Sequence, residues 1–307
     1  MSLETDLLLD RRRLKRRLVF WRVFSVLAVV VAVLVGLNGA GITPSGPHIV
    51  RVSISGLITE DRTLTESIEK LADDRDVKAV ILAINSPGGS VAGGETIHEA
   101  IAQVAAEKPV VVTMGSLAAS AGYMIAMPAQ RIFARDATLT GSIGVLLESG
   151  EVSGLLEKLG IGATVIRSGP LKDEPSLVRP LSPQGREVLQ SLVNDMYDQF
   201  VAMVAAGRHM DEAKVRALAD GRAYTGKQAL GLGLVDAIGG EREAKAWLES
   251  AKGIPAHLPI EDLSQAGFAS RVLSGSLGTM IQGFWKTLIS QSVSLDGAWA
   301  VWQRSGR

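Results

Sequence analysis

Cysteine is absent from this 307-residue chain. Its absence removes disulfides, thiolate metal sites and cysteine nucleophiles together, and it leaves the redox compartment open. Histidine is scarce: His48, His98, His209 and His257 are the only four, too few for a His-rich metal centre. No metal or organic cofactor is expected. An excess of one charge is missing too, with 32 basic and 32 acidic side chains. That argues against a nucleic-acid partner, whose binding draws on Lys and Arg neutralising phosphates. What is abundant is apolar: 47% of residues are hydrophobic and 21% charged, enough for a sizeable core and unlike a disordered chain.

The apolar residues are unevenly spread. Six of the seven residues from Arg11 to Arg17 are basic, Leu18 to Leu37 is almost wholly apolar apart from Arg22, and no charge occurs between Val23 and Pro47. Twenty helical residues span ~30 Å, the thickness of a hydrocarbon core. Arg22 can snorkel to the interface beside Trp21. The pattern predicts a cytoplasmic basic segment (1–17), a single transmembrane anchor (18–42) and a Gly/Pro linker (43–48), with the remainder on the extracytoplasmic side by the positive-inside rule. A cleaved signal peptide has the same charged-then-apolar order, but the run is long for one. A buried soluble helix is the other alternative.

From Ile49 onward strands and helices alternate. Val/Ile-rich runs predict strands over 49–55, 77–85, 109–114, 131–134, 143–147 and 163–167. Helical spacing predicts helices over 63–73, 91–107, 120–127, 151–159 and 183–206. The class is α/β with a largely parallel sheet, whose sites usually sit on loops at the carboxyl ends of strands. The α/β domain is read as 49–250, followed by a C-terminal extension over 251–307. That extension holds three of the five Trp residues, and Leu277, Ile281, Phe284, Trp285, Leu288 and Ile289 fall at helical spacing. It reads as a helix packed on the domain or on a neighbour, or as an interfacial helix.

Four loops could carry chemistry. Asn85–Ser90 follows a strand and precedes a helix, and Gly88 and Gly89 allow positive φ and a close backbone approach. N–H groups in such a turn can converge on an oxyanion or a phosphate, but a phosphate loop would want a following Lys, which is missing. The second, Ser116–Tyr123, puts Ser120 where a strand turns into a helix, as an N-cap or as a nucleophile among small residues. A serine nucleophile needs a base. No His lies in these loops, so a Ser-His-Asp triad is hard to place and a Ser-Lys pair becomes the natural alternative. The third loop, Thr140–Val145, brackets Ser142 between glycines, and the fourth, Ser168–Asp173, contains Lys172.

Taken in order, Asn85–Ser90, Ala118–Tyr123, Thr140–Val145, Ser168–Asp173 and Tyr224–Asp236 resemble the signal peptide peptidase A family of membrane serine peptidases, in its short single-copy form. The resemblance covers about residues 48–240 and departs at Ala121, where the family commonly has Gly. It implies the crotonase/Clp-protease fold, a ββα superhelix, here with an N-terminal transmembrane helix and a helical C-terminal extension. It implies that Ser120 is the nucleophile, Lys172 the general base and Ser142 a hydroxyl that orients the lysine. It also implies an oxyanion loop at Gly88 and Gly89 assisted by the Ala121 N–H. Remnant signal peptides and other apolar peptides would be the substrates, at the bacterial inner membrane and in contact with its lipid. Family members form rings, an octamer being favoured, and Lys172 could come from a neighbouring subunit.

The mechanism so implied is acyl transfer, and a lysine serves as its base only when burial keeps the amine neutral. Asp173 and Glu174 would oppose that if they approached the amine, so their carboxylates are expected to point away. Two rivals remain: an acyl-CoA hydratase or isomerase on the same fold, separable by coenzyme A binding, and a non-enzymatic ring that holds apolar peptides.

Overall fold

The computed structural model describes residue 17, residues 20–29 and residues 46–263. Residues 20–29 are helical, and Phe20, Trp21 and Phe24 hold one another edge-on or stacked with ring centroids 5.7–6.4 Å apart. Its large apolar side chains are exposed. The rest of the expected anchor lies outside the described residues. Among the described residues no helix is long and apolar enough to cross a membrane.

Gly46–Leu263 forms one compact unit around an eight-stranded sheet. In chain order its elements are β1 (His48–Ile58), α1 (Arg62–Asp73), β2 (Val77–Gly89), α2 (Val91–Glu107), β3 (Val110–Ala119), α3 (Ala121–Met124), β4 (Arg131–Ala134) and β5 (Leu139–Gly141). There follow α4 (Ser153–Lys158), α5 (Pro183–Arg208), α6 (Glu212–Leu218), β6 (Ala223–Thr225), α7 (Gly226–Leu232), β7 (Ala237–Ile238), α8 (Glu241–Lys252) and β8 (Ile260–Asp262). The main path of the sheet is β6-β5-β3-β2-β1-β8, with β4 branching from β3 and β7 pairing with β4. All pairings are parallel except β5 with β6.

The long runs of Val and Ile follow from burial on both faces, which is how parallel sheets are packed. Alternate residues of β2 serve opposite layers: Val80, Leu82 and Ile84 join a core with α1, α2 and α5, while Ala79 and Ile81 pack under α8 with Ala244 and Leu248. Each fully buried Val, Ile or Leu contributes ~1.5–3 kcal/mol. α2 starts where Ser90 caps it, accepting the Gly93 N–H at 3.1 Å. Its span, 91–107, is the one that the apolar spacing predicts.

Three expected elements differ. The strand expected over 143–147 is replaced by β5, which ends at Gly141 before that stretch begins, because Gly141 (φ 75°) and Ser142 (φ 49°) turn the chain off the sheet. The strand expected over 163–167 is absent, for no partner strand lies beside it and Ile166 is 96% exposed. The helix expected over 120–127 is only one turn, α3, and then tightens through i→i−3 bonds (Ala126 to Tyr123, Met127 to Met124) up to Pro128. Of the expected helical extension only 251–263 is described; α8 ends at Lys252, and Ile260–Asp262 is a strand rather than a helix. Arg51 fastens that strand to the sheet edge, bonding Asp262 at 2.8 Å and Glu241 at 2.7 and 2.8 Å.

Candidate active site

β3 changes partner along its length, and this change creates the site. Val111–Thr113 pair with β4, whereas Leu117–Ala119 pair with β5. Immediately beyond, Ser120 has φ 55° and ψ −126°, a conformation that a non-glycine residue seldom adopts. Such strain costs on the order of 1–3 kcal/mol and persists only where the surroundings over-determine it.

Those surroundings are specific. The Ser120 N–H donates to Gly141 O at 2.9 Å, while Ser120 O accepts from Tyr123 and Met124 N–H at 2.8 and 3.0 Å. Thr140 Oγ1 donates to Ala118 O at 2.7 Å, locking β5 against the end of β3. The Tyr123 hydroxyl, fully buried, donates to Leu234 O at 2.7 Å, and burial raises its pKa well above the ordinary phenol value. The Ser120 side chain, standing at the N-cap of α3, makes no capping bond. Among the described residues its hydroxyl is uncommitted.

The glycine loop closes over this turn. At Gly88 (φ 107°) an added Cβ would lie 2.7 Å from Ser120 Cβ and 3.1 Å from Ala121 N. At Gly89 it would lie 1.9 Å from Ile58 O. Buried Ser86 holds the loop, its Oγ donating to Gly56 O at 2.7 Å and accepting from the Gly88 N–H at 3.0 Å. Gly88 therefore supplies space beside Ser120, while its N–H is spent inside the loop. Ala121, first residue of α3, carries one of the N–H groups that a helix cannot satisfy internally. Ser142 is anchored on its other side, its N–H donating to Arg222 O at 3.0 Å and its Oγ to Gly221 O at 3.2 Å.

Ser120, Gly88 and Ala121 are thus in contact, Gly89 follows Gly88 but stands against Ile58 of β1, and Ser142 follows the residue that binds Ser120 N–H. Lys172 is not joined to them. It is exposed, in a stretch with no regular structure, and only its backbone N–H is bonded, to Gly169 O at 3.3 Å. Among the described residues its amine has neither a hydrogen bond nor an ion pair, so the carboxylates of Asp173 and Glu174 stand away from it, as expected. Arg179 takes both instead, at 3.2 and 3.3 Å. No histidine hydrogen-bonds to Ser120 among the described residues.

Sequence reasoning gave no role to Ser86, Thr140 and Arg179. The two hydroxyls sit inside the quoted motifs, but Ser and Thr are too common at turns to single out without their partners. Arg179 lies beyond the last motif loop.

Two family models match the stretch that holds these loops. The model of peptidase family S49 matches residues 102–255, which include Ser120, Ser142 and Lys172, and that of Clp protease matches residues 52–140. A protease of Synechocystis is 40% identical over 213 residues, covering 69% of this chain and 77% of that protein. A protein of Enterococcus faecium named signal peptide peptidase SppA is 35% identical over 266 residues, covering 82% and 77%. Protease 4 of Salmonella typhi is 38% identical over 185 residues, which is 60% of this chain and 30% of that longer protein.

Proposed function

Because this chain belongs to peptidase family S49 and is a serine peptidase, we propose that it is a membrane-anchored endopeptidase using a Ser120–Lys172 dyad on apolar peptides, remnant signal peptides above all. The observation that carries the dyad's first half is the uncommitted Ser120 hydroxyl on a strained turn, facing a loop that leaves room only for glycine. Neutral Lys172 removes the Ser120 proton as Oγ attacks the substrate carbonyl. In this reading the Ala121 N–H, which its helix leaves unsatisfied, donates to the developing oxyanion beside the loop of Gly88 and Gly89, a stabilisation worth ~3–4 kcal/mol per donor in comparable sites. The lysine ammonium then passes its proton to the leaving amine. A water, deprotonated by the same lysine, releases the acyl group and restores Ser120.

Lys172 reaches a serine of the adjacent copy in this reading. Its amine is exposed and, among the described residues, unpaired, and the stretches before and after it in the chain carry apolar side chains that a single copy leaves bare: Leu146, Ile161, Ile166 and Leu177 are 53–96% exposed. A ring of such copies, an octamer by family resemblance, would bury these side chains and remove water from the lysine. The apolar run at 18–42 holds the ring at the inner membrane with the catalytic unit on the extracytoplasmic side, where apolar remnants of processing remain.

The full chain in detergent, offered a fluorogenic apolar peptide, tests this. Ser120→Ala and Lys172→Ala each lose roughly 10³-fold or more of kcat. Mixed before assembly, the two variants regain part of the rate, because one supplies the serine and the other the lysine. Retained hydrolysis in Ser120→Ala would overturn the nucleophile assignment. Failure of the mixture, with mixed rings verified, would place both residues of a site on one copy.

A further inference from the structure

Glu174 is the buried charge that the reaction does not use. Its side chain is 4% exposed, yet it receives a single bond, from Arg179 Nη1 at 3.3 Å, and its Oε2 has no partner among the described residues. It packs against Gly185 in the first turn of α5, where an added Cβ would lie 2.6–2.8 Å from the carboxyl group. A carboxylate so placed is costly unless something needs it there.

Two residues before it stands Lys172, in a stretch whose local bonds are long: Lys172 N–H to Gly169 O and Glu174 N–H to Leu171 O, both at 3.3 Å. Arg179 supplies what these lack. Its guanidinium bonds Asp173 Oδ2 at 3.2 Å, Asp173 O at 2.9 Å and Glu174 Oε1 at 3.3 Å. One planar fork therefore closes the turn directly after the lysine, with Glu174 wedged against α5. Ser176 and then Arg179 hold the Asp173 carboxyl below its ordinary range. The other charges about this loop are Arg167, which also bears on Asp173, and Glu151 and Arg186, which line the cavity beside Pro175 and Ser176.

We propose that Arg179 is the positioning residue for the general base: it fixes the turn that presents Lys172 and keeps the Asp173 and Glu174 carboxylates off the lysine amine. The inference rests on Lys172 being the base. Without Arg179 the Glu174 carboxylate loses its one bond and Asp173 is left with Ser176 alone, so both are less restrained, and nearby negative charge favours the ammonium over the amine.

The test is hydrolysis of the fluorogenic peptide against pH by the full chain and by Arg179→Met, Arg179→Lys and Lys172→Ala, with assembly size and melting temperature measured for each. Arg179→Met is expected to keep KM, to lose about tenfold in kcat at neutral pH, and to move the acid limb of the profile upward by about one pH unit. Adding Asp173→Asn and Glu174→Gln to that variant should return the limb toward the parent. A folded, assembled Arg179→Met with a parental acid limb overturns the proposal, even if its rate is lower, since that is what a merely structural role gives. Should Arg179→Met fail to assemble, Arg179→Lys decides: an ammonium cannot hold both carboxylates, so a smaller shift of the same sign is expected, and a parental profile overturns the proposal. The Lys172→Ala control separates the two readings. Parental activity there removes the base assignment itself, whereas an inactive Lys172→Ala beside an unmoved limb in the Arg179 variants removes only the role of Arg179.

Discussion

At Gly88 the demands on backbone and space coincide. Its φ of 107° disfavours any L side chain, and a Cβ would meet Ser120 Cβ at 2.7 Å and Ala119 O at 3.0 Å. Both contacts are with the turn that carries Ser120, the proposed nucleophile, so the neighbours cannot yield without moving it. Gly88→Ala is expected to lose at least ~10²-fold in kcat, the scale of a disturbed oxyanion site. It should lose only about 1–3 kcal/mol of stability, the range for a strained residue. Peptide hydrolysis and urea unfolding on the same preparation check the pair of numbers. A variant with near-parental kcat would mean that the loop has slack beside Ser120. Thr140→Val is the milder probe: it deletes the bond to Ala118 O, and a loss of ~1–3 kcal/mol is expected from leaving that buried carbonyl unpaired.

Among the elements, the end of α5 is tied to the sheet by a charge pair. Arg208 and Asp236 meet through bonds of 2.6 and 3.0 Å, Asp236 Oδ2 also accepts the Ile132 N–H at 2.7 Å, and Arg208 Nε donates to Gly233 O at 3.0 Å. Burial pushes the Asp236 carboxyl up, but the hydrogen bond and charge of Arg208 outweigh it and hold the group below the usual carboxylate value. Its stabilisation is therefore present above the unfolded-state pKa of ~3.9 and fades as the pH falls through the lower folded value. Asp236→Asn leaves Arg208 uncompensated and is expected to cost about 3 kcal/mol at pH 7, the lower end for a broken buried pair because Asp236 is partly exposed. Urea titrations of parent and variant should converge on acidification below pH 4, and an undiminished gap there would deny the linkage. How much of the fold was legible follows from such contacts. α2 and β4 stand where apolar spacing and cap residues put them, since local signals and tertiary burial agree there. The stretches at 143–147 and 163–167 carry the Val and Ile of strands but have no neighbour to pair with, and pairing is a property of the whole sheet. At the site, Ser120, Gly88 and Gly89 were legible because glycines in a strand-to-helix turn have few other uses. Ser86, Thr140 and Arg179 were not, because their work lies in partners distant in sequence or in a loop without a pattern.

At the scale of the whole molecule, those same failed strands describe an incomplete surface. Ile166 is 96% exposed, Leu146 81% and Leu177 61%, which is unusual for side chains flanking the segment proposed to deliver a base. An apolar surface bare in one copy is stabilised when another covers it, and burying one such side chain contributes ~1.5–3 kcal/mol. Charge placed there would penalise only the assembled state, because the side chains touch little within the single chain. Ile166→Asp combined with Leu177→Asp is therefore expected to leave the thermal unfolding of the compact unit nearly unchanged, as surface substitutions usually do within about 0.5 kcal/mol. The same pair should shift the sedimentation of the detergent-solubilised protein toward a single copy. If the base comes from a neighbour, hydrolysis must fall with assembly, and in proportion to it across a dilution series. A dispersed variant that still cleaves the peptide at the parental rate would show that one chain holds a complete site, and Lys172 would then have to swing onto Ser120 of its own copy.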